Sequence, residues 1–215
     1  MNIHIRNGRL DDAHFLARSI LMAGRAHVAK GIWEVILGLP EEQCIRFLQN
    51  IALTGPPHLF HYSSYLIAQT PDKVMTGSLG GYNPKLRGYQ ALQQAIPAVY
   101  KKLQLPIEIS RAANERAARI MSCLPKEIDN AWVVDSVATL PEYRGRSIAE
   151  KLLHHVLAEG KRQGHKLSQV NMYIGNQPAL HLYQKIGYTI FEEKRDKYFE
   201  ENIGSPGMLS LVKHL

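Results

Sequence analysis

The chain has 215 residues, of which 45% are hydrophobic and 21% charged, a composition typical of globular proteins. No run approaches the roughly 18 apolar residues of a membrane span, and the N-terminus lacks the apolar core of a signal peptide. Two distant cysteines, Cys44 and Cys123, exclude a disulfide framework, so we expect a soluble cytoplasmic protein. The net charge of +7 favours anionic partners such as nucleic acid, an anionic membrane or a polyphosphate cofactor, although no dense Lys/Arg run concentrates it.

The first 82 residues carry both strand and helix patterns. Periodicity and turn signals predict, in chain order, a short strand around Ile3 and Ile5, a helix over residues 10–27, a helix over 40–53, and strands over 62–69 and 74–82. Asp11 or Asp12 is the expected cap of the first helix. The mixture of elements indicates an α and β protein.

Between residues 83 and 130 the strand pattern disappears. Helical spacing predicts one helix over 91–103 and another over 110–123, with Pro106 between them. A stretch of this length between strands is often concerned with specificity rather than with the scaffold.

From residue 131 onward, strands and helices alternate again. The patterns predict, in order, a strand over Trp132–Thr139, a helix over 148–162, a strand through Val170, Met172 and Ile174, a helix over 178–186, and strands over 188–192 and 209–213. The strand Trp132–Thr139 is apolar on both faces, which is typical of a central strand. The predicted fold class is α/β (α+β).

The turn after this strand is basic and contains a glycine. Arg144, Gly145 and Arg146 lead directly into a predicted helix. The first N–H groups of a helix have no partner within it, and the helix dipole adds positive potential there, so a pyrophosphate would bind well. An ordinary strand-to-helix turn with two surface arginines remains the alternative.

Two motifs at fixed spacing resemble those of the GNAT superfamily of N-acetyltransferases. The turn reads Arg144-Gly145-Arg146-Ser147-Ile148-Ala149 and is similar to the family's Arg/Gln-x-x-Gly-x-Gly/Ala. The second motif matches Asn-x-x-Ala-x-x-Leu-Tyr-x-Lys-x-Gly-Phe/Tyr through Asn176, Ala179, Leu182, Tyr183, Lys185, Gly187 and Tyr188. The resemblance implies a single GNAT domain over residues 1–215, with a central, strongly twisted mixed sheet flanked by helices and a helical insertion at about 83–130.

The resemblance also implies acetyl-CoA as the cosubstrate and assigns residues to it. Backbone N–H groups would hold the pyrophosphate at Arg144, Gly145, Arg146, Ser147, Ile148 and Ala149. Val137 and Thr139 would pair through their backbone with the pantetheine arm, and Asn176 would offer it a side-chain amide. Ala179 and Leu182 are expected to face the core.

Ser147 stands where the family usually has Gly. If the residue is already helical, Ser costs little there and its N–H remains a donor. Its Cβ would still crowd the phosphate, or its Oγ would compensate with a hydrogen bond.

Tyr183 is the candidate acid. In acetyl transfer to an amine, the departing thiolate gains charge, and a positioned phenol can donate a proton to it. A tyrosine packed in the core is the alternative.

Asp135 is the candidate base, because a carboxylate among apolar strand residues is desolvated and its pKa rises. A seat for a cationic amine and a structural, hydrogen-bonded carboxylate remain open as other roles. Glu34, Tyr82 and Tyr89 are further candidates for the base.

The sequence therefore predicts an N-acetyltransferase that moves an acetyl group from acetyl-CoA to a primary amine, directly and in a ternary complex. The Val137 amide would polarise the thioester carbonyl. A non-catalytic acyl-CoA-binding or regulatory protein and a basic nucleic-acid-binding domain are the alternatives. The histidines show no metal-ligand spacing, so no metal site is expected. Neither nucleic acid nor membrane is expected as a partner, and the resemblance allows a homodimer.

Overall fold

A computed structural model describes residues 2–215. In that range the strands form one sheet in the order β1-β2-β3-β4-β5-β7-β6. The strands are β1 (His4–Asn7), β2 (Tyr65–Gln69), β3 (Met75–Tyr82), β4 (Ala131–Thr139), β5 (Leu167–Tyr173), β6 (Thr189–Arg195) and β7 (Gly207–His214). Only β4 and β5 pair in parallel within this described sheet, whereas the other neighbours are antiparallel. The predicted mixed sheet is confirmed, with β4 at its centre.

Helices cover both faces of the sheet. They are α1 (Ala13–Arg25), α2 (Ile32–Leu37), α3 (Glu41–Ala52), α4 (Pro84–Arg87), α5 (Tyr89–Lys102), α6 (Ile107–Met121), α7 (Ile148–Arg162), α8 (Gln177–Ile186) and α9 (Lys197–Ile203). Sequence analysis did not predict α2, α4 or α9. These helices have 6, 4 and 7 residues, too few for an apolar periodicity to show.

The start of α1 differs from the prediction. Residues Leu10–Asp12 form a 3₁₀ turn, and Asp12 is the N-cap residue of α1, as one of the two predicted candidates, but its side chain accepts no hydrogen bond from α1. The buried Asp12 carboxylate instead accepts hydrogen bonds from the Arg6 guanidinium at 2.7 and 2.9 Å and from the Arg9 N–H at 2.7 Å. The residue therefore ties β1 to the entrance of α1.

The two faces of the sheet carry separate apolar cores. On one face α1, α3 and α5 pack on Val133 of β4. On the other face α7 and α8 pack on Trp132 and Val134. A Cβ at Gly81 of β3 would collide with Val156, so this glycine allows α7 to lie close to the sheet.

The centre of the sheet is split. β4 pairs with β5 only through residues Ala131–Val134, which lie opposite Leu167–Val170. Beyond Val134 and Val170 the two strands separate. On its other side, β4 contains a β-bulge, because Gly80 pairs with Asp135 and Ser78 pairs with Ala138. Ser136 lies in this bulge with φ +50°. The split and the bulge together open a cleft at the carboxyl end of β4.

No helix among residues 2–215 has the length and apolarity to cross a bilayer.

Candidate active site

A cavity of about 1660 Å³ begins where β4 and β5 separate. Residues 135–139 of β4 form one wall, and the start of α7 and one side of α8 close one end. The other end extends between α1, α2, α5 and α6. Most of the predicted site residues lie on these walls, so the fold brings together residues that are far apart in the sequence.

The turn before α7 has an unusual backbone. Gly145 and Ser147 both adopt left-handed conformations, with φ +73° and +56°. The Arg144 side chain bends back and donates from Nε to the Thr139 carbonyl at 3.3 Å. This backbone path ends at the start of α7, where the N–H groups of Ile148 and Ala149 have no partner within the helix. An anion is the natural ligand at such a helix start.

Ser147 is the N-cap of α7 and is not yet helical. The condition under which Ser would cost little, a helical conformation at this position, is therefore not met. A left-handed conformation brings Cβ close to the following carbonyl and costs a non-glycine residue about 1 kcal/mol. A glycine at this position would adopt the same backbone conformation without this cost.

The predicted pyrophosphate contacts are not all on the cavity wall. Arg144, Gly145, Ser147, Ile148 and Ala149 line the cavity. Arg146 is not among the lining residues, and its guanidinium carbon lies 5.4 Å from the centre of the Tyr143 ring. The Arg146 side chain thus adds positive potential at the turn and makes a cation–π contact with Tyr143.

The free side of β4 carries the backbone groups predicted for pantetheine. The Leu140 N–H donates to the Thr76 carbonyl of the neighbouring chain segment at 2.9 Å. Since hydrogen-bonding groups alternate along a regular strand, the Thr139 N–H points to the opposite side, into the split, and Val137 lies next to it in the bulge. Both residues line the cavity, so an extended ligand can add to β4 where β5 has left it.

The second motif forms the opposite wall. Asn176 caps α8, its Oδ1 accepting from the Ala179 N–H at 3.4 Å, which leaves its amide N–H groups for a ligand. Ala179 and Leu182 are half-buried and line the cavity, so the expectation that they face the core is only partly correct. Gly187 ends α8 at φ +97°, as the motif predicted.

Lys185 joins the two motifs. Its ammonium lies 2.7 Å from the Glu150 carboxylate in the first turn of α7. The pKa of Glu150 is lowered by the hydrogen bond from Lys185. Lys185 therefore holds the start of α7 against α8, although it remains largely exposed to solvent.

Tyr183 lies on the cavity wall between the two motifs. Only 5% of the residue is exposed, and its ring packs edge-to-face on Tyr188 with 5.8 Å between centroids. Within residues 2–215 no side chain or backbone group forms a hydrogen bond that shifts the pKa of its hydroxyl. Burial raises the pKa of the phenol above its ordinary value, with smaller contributions from Tyr188 and the charge of Asp135. The hydroxyl is therefore protonated at neutral pH and available to a ligand.

Asp135 lies at the β4 bulge, on the cavity wall. Its carboxylate accepts a hydrogen bond from the Ser136 hydroxyl at 2.6 Å. Burial raises its pKa, whereas hydrogen bonds from the Ser136 side chain and backbone lower it by less. In the described part of the chain no Arg, Lys or His pairs with this carboxylate. The Asp135 carboxyl group thus lies in a desolvated site without a cationic side chain beside it.

The further candidates for the base differ in their positions. Glu34 caps α2 and pairs with Arg25, with 2.7 Å between Oε1 and Nη2, and it does not line the cavity. The buried Tyr82 donates to Glu127 at 2.9 Å and is also off the wall, whereas Tyr89 lines the cavity. Glu127 itself was missed by sequence analysis, since no motif surrounds it.

Tyr173 was also missed. The alternation of residues along β5 could have indicated that the tyrosine hydroxyl lies on the cavity side of the strand. Its hydroxyl donates to the Gly24 carbonyl at 2.6 Å and accepts from the Ile32 N–H at 3.2 Å. It joins the end of α1 to the start of α2 and so fixes the cavity wall.

The part of the chain from residue 2 onward contains no group of three or more His, Cys, Asp and Glu residues that could hold a metal ion.

Comparisons with known proteins agree with this geometry. Residues 111–190 match the family model described as "Acetyltransferase (GNAT) domain". An N-acetyltransferase from Staphylococcus aureus Mu50 is 21% identical, with 98% of this chain and 100% of that chain covered at a TM-score of 0.69. A second structure, described as an acetyltransferase, is 20% identical over 98% of both chains at a TM-score of 0.69.

The apo form of an agmatine N-acetyltransferase variant is 15% identical over 100% of both chains at a TM-score of 0.54. A search of curated protein sequences found no match. At these identities the structural likeness establishes the fold.

Proposed function

We propose that this chain is a GNAT acetyltransferase, the family whose model matches residues 111–190, and that it transfers an acetyl group from acetyl-CoA to a primary amine directly, in a ternary complex. The observation that carries this proposal is the unpaired carboxylate of Asp135 on the wall that also bears the free backbone of β4. A desolvated carboxylate without a cation favours a cationic partner, and the ammonium form of an amine supplies one.

The chain's own groups suit acetyl-CoA as the cosubstrate. The start of α7 would hold the pyrophosphate through the N–H groups of Ile148 and Ala149, with Arg144 and Arg146 adding positive charge. Val137 and Thr139 would pair with the pantetheine through their backbone, and Asn176 would donate from its amide. When bound there, acetyl-CoA supplies the thioester whose acetyl group is transferred.

Asp135 binds the ammonium and removes its proton, either directly or through a water molecule. Its raised pKa makes it a stronger base than an ordinary aspartate. The hydrogen bond from Ser136 orients the carboxylate and limits the rise of its pKa.

The Val137 N–H donates to the carbonyl oxygen at which negative charge develops. Tyr183 donates a hydrogen bond, and then its proton, to the departing sulfur. Burial raises the pKa of the phenol. The same dry surroundings also raise the pKa of a thiol that forms beside it, so the proton transfer remains feasible. We place this reaction in the cytoplasm, since Cys44 and Cys123 are both free thiols.

The test is a transfer assay that follows CoA thiol release and the acetylated amine together, with a panel of primary amines. We expect amine-dependent thiol release that Asp135→Asn reduces while acetyl-CoA binding is retained. Tight acetyl-CoA binding with no transfer to any amine of the panel would instead support a non-catalytic acyl-CoA-binding protein.

A further inference from the structure

The cavity has a second arm beyond Asp135, and this arm leads away from the cofactor motifs. It lies between α2, α5 and α6 and ends near exposed Lys101 and Ile107, at the connection between α5 and α6. We call the part of the cavity lined by α2, Phe60, α5 and α6 the acceptor arm. Its walls are mainly apolar and include Trp33, Phe60, Tyr89, Leu92, Ile96 and Met121.

The acceptor arm is held by specific contacts. The Arg116 guanidinium of α6 donates to the Ile36 and Leu37 carbonyls of α2 at 2.9 and 3.0 Å. Trp33 and Phe60 pack edge-to-face with 5.1 Å between ring centroids. The arm is thus preformed by cross-helix contacts, as is usual for small-molecule sites.

The distribution of charge in the cavity restricts what can enter. Among the described lining residues the carboxylates are those of Asp135 and Glu150. Glu150 belongs to the cofactor end and pairs with Lys185 at 2.7 Å. The charged lining residue of the acceptor arm is Lys101, a cation. The arm therefore offers no carboxylate to a second ammonium group.

Glu127 does not change this conclusion. It does not line the cavity, and its carboxylate accepts a hydrogen bond from the Tyr82 hydroxyl at 2.9 Å. Burial raises its pKa, so Glu127 takes up a proton and becomes neutral more readily than an exposed glutamate does.

We propose that the acceptor is a primary monoamine with an apolar, aromatic or branched body, and that diamines and polyamines are rejected. This inference rests on the proposed function. The single ammonium binds at Asp135, and the apolar body fills the acceptor arm against Trp33, Phe60 and Ile96. A second ammonium would lose its hydration in the arm without gaining a partner.

The experiment compares kcat/KM for phenethylamine and for putrescine with the same enzyme and acetyl-CoA. We expect phenethylamine to be preferred by about 10- to 100-fold, the range for a desolvated charge without a partner. Equal or better use of putrescine would overturn the inference and leave the proposed function standing. No transfer to either amine, with transfer to another amine of the panel, would overturn this inference alone, whereas no transfer to any amine despite bound acetyl-CoA would overturn the proposed function and this inference with it.

One substitution tests the charge argument without changing side-chain size. Gln93 is exposed on α5 and lines the acceptor arm, so Gln93→Glu adds a carboxylate of nearly the same shape. We expect the ratio of putrescine to phenethylamine activity to rise about 10-fold. Gln94→Glu is the matched control, because Gln94 is exposed but does not line the cavity, and the ratio should stay at the wild-type value. An equal ratio in all three proteins would contradict the charge argument.

The length of the acyl group gives a second, independent measurement. If the acceptor arm held an acyl chain instead of the amine's body, decanoyl-CoA would outperform acetyl-CoA with a small amine such as methylamine. We expect acetyl-CoA to be the better donor, and the opposite order would overturn the assignment of the arm to the acceptor.

Discussion

The hydroxyl of Ser136 lies 2.6 Å from the carboxylate of its neighbour Asp135, and it is the donor. The contact exists because the β4 bulge places Ser136 at φ +50°. A regular strand would send the two side chains to opposite faces of the sheet. The bulge therefore places the Asp135 carboxylate on the cavity wall, together with the uncharged Ser136 hydroxyl that donates a hydrogen bond to it.

Replacing Asp135 by Asn should remove the base and keep the shape of the side chain. We expect kcat/KM for the amine to fall by about 10²- to 10⁴-fold. The dissociation constant of acetyl-CoA, measured by calorimetry, should change little. A variant that transfers acetyl at the wild-type rate would show that Asp135 is structural.

The pH profile gives a separate test of the same group. Because the pKa of Asp135 is raised in the folded protein, activity should fall as pH decreases through that raised value and be full above it. Ser136→Ala removes a hydrogen bond that lowers this pKa, so the acid limb of log(kcat/KM) should move to higher pH. An acid limb at the same pH in both proteins would mean that another group titrates.

Tyr183→Phe should separate turnover from binding. The hydroxyl is predicted to act on the departing sulfur, so kcat should fall by about 10²-fold or more while acetyl-CoA affinity is retained. The ring contact with Tyr188 needs no hydroxyl, so the unfolding temperature should be nearly unchanged. A parallel loss of kcat and of cofactor affinity would argue against the role as an acid.

Ser147→Gly should relieve the left-handed N-cap of α7. We expect the free energy of unfolding to rise by about 0.5–1 kcal/mol, because the steric cost exceeds the extra chain entropy of Gly. Acetyl-CoA affinity should be equal or higher, since the Cβ next to the pyrophosphate site is removed. Ser147→Ala is the control: it removes Oγ but keeps Cβ, so it should not stabilise the fold. If Ala lowers affinity and Gly does not restore it, Oγ is a phosphate ligand.

The fully buried His58 should make stability depend on pH. Burial lowers its pKa from 6.5 to about 4, and the charge of the nearby His61 contributes in the same direction. Between pH 6.5 and about pH 4, His58 therefore binds a proton in the unfolded chain but not in the folded chain. The free energy of unfolding falls as pH decreases through this window. The loss from this group is on the order of 3 kcal/mol.

Chemical denaturation at a series of pH values measures this effect. In that window the free energy of unfolding should change less steeply with pH in His58→Gln than in the wild type. The reduction in slope is at most the contribution of one bound proton. His181→Gln, at an exposed position on α8, should keep the wild-type slope. The lowered pKa values of Asp12 and Glu34 add a loss of stability below about pH 5, so the slopes are compared above that pH. An unchanged slope in His58→Gln would show that another group controls acid stability.

Sequence analysis predicted the scaffold well where the signal is local. The helix over 148–162 coincides with α7, and Gly187 ends α8 in a left-handed conformation. Both depend on periodicity and end signals within a few residues. Apart from Asn176 at the start of α8, the predicted cofactor residues are also local, since they share one turn and one strand.

The parts that were missed depend on long-range contacts. Tyr173 contacts Gly24 and Ile32, more than 140 positions away in the chain, and Glu127 meets Tyr82 across 45 positions. The left-handed φ of Ser147 was not predicted either, because it depends on the path of the whole turn. Residue types alone do not encode these relationships.

The most direct test of the account is thermal unfolding with and without acetyl-CoA, with ATP as the comparator. At about 100 times its dissociation constant, a ligand stabilises the folded state by roughly 2.7 kcal/mol, which corresponds to an increase in Tm of about 5–10 °C for a chain of this size. We predict such an increase with acetyl-CoA and little with ATP. The absence of any increase at millimolar acetyl-CoA would contradict the account, because the turn at Ser147 and the free side of β4 would then not form a cofactor site.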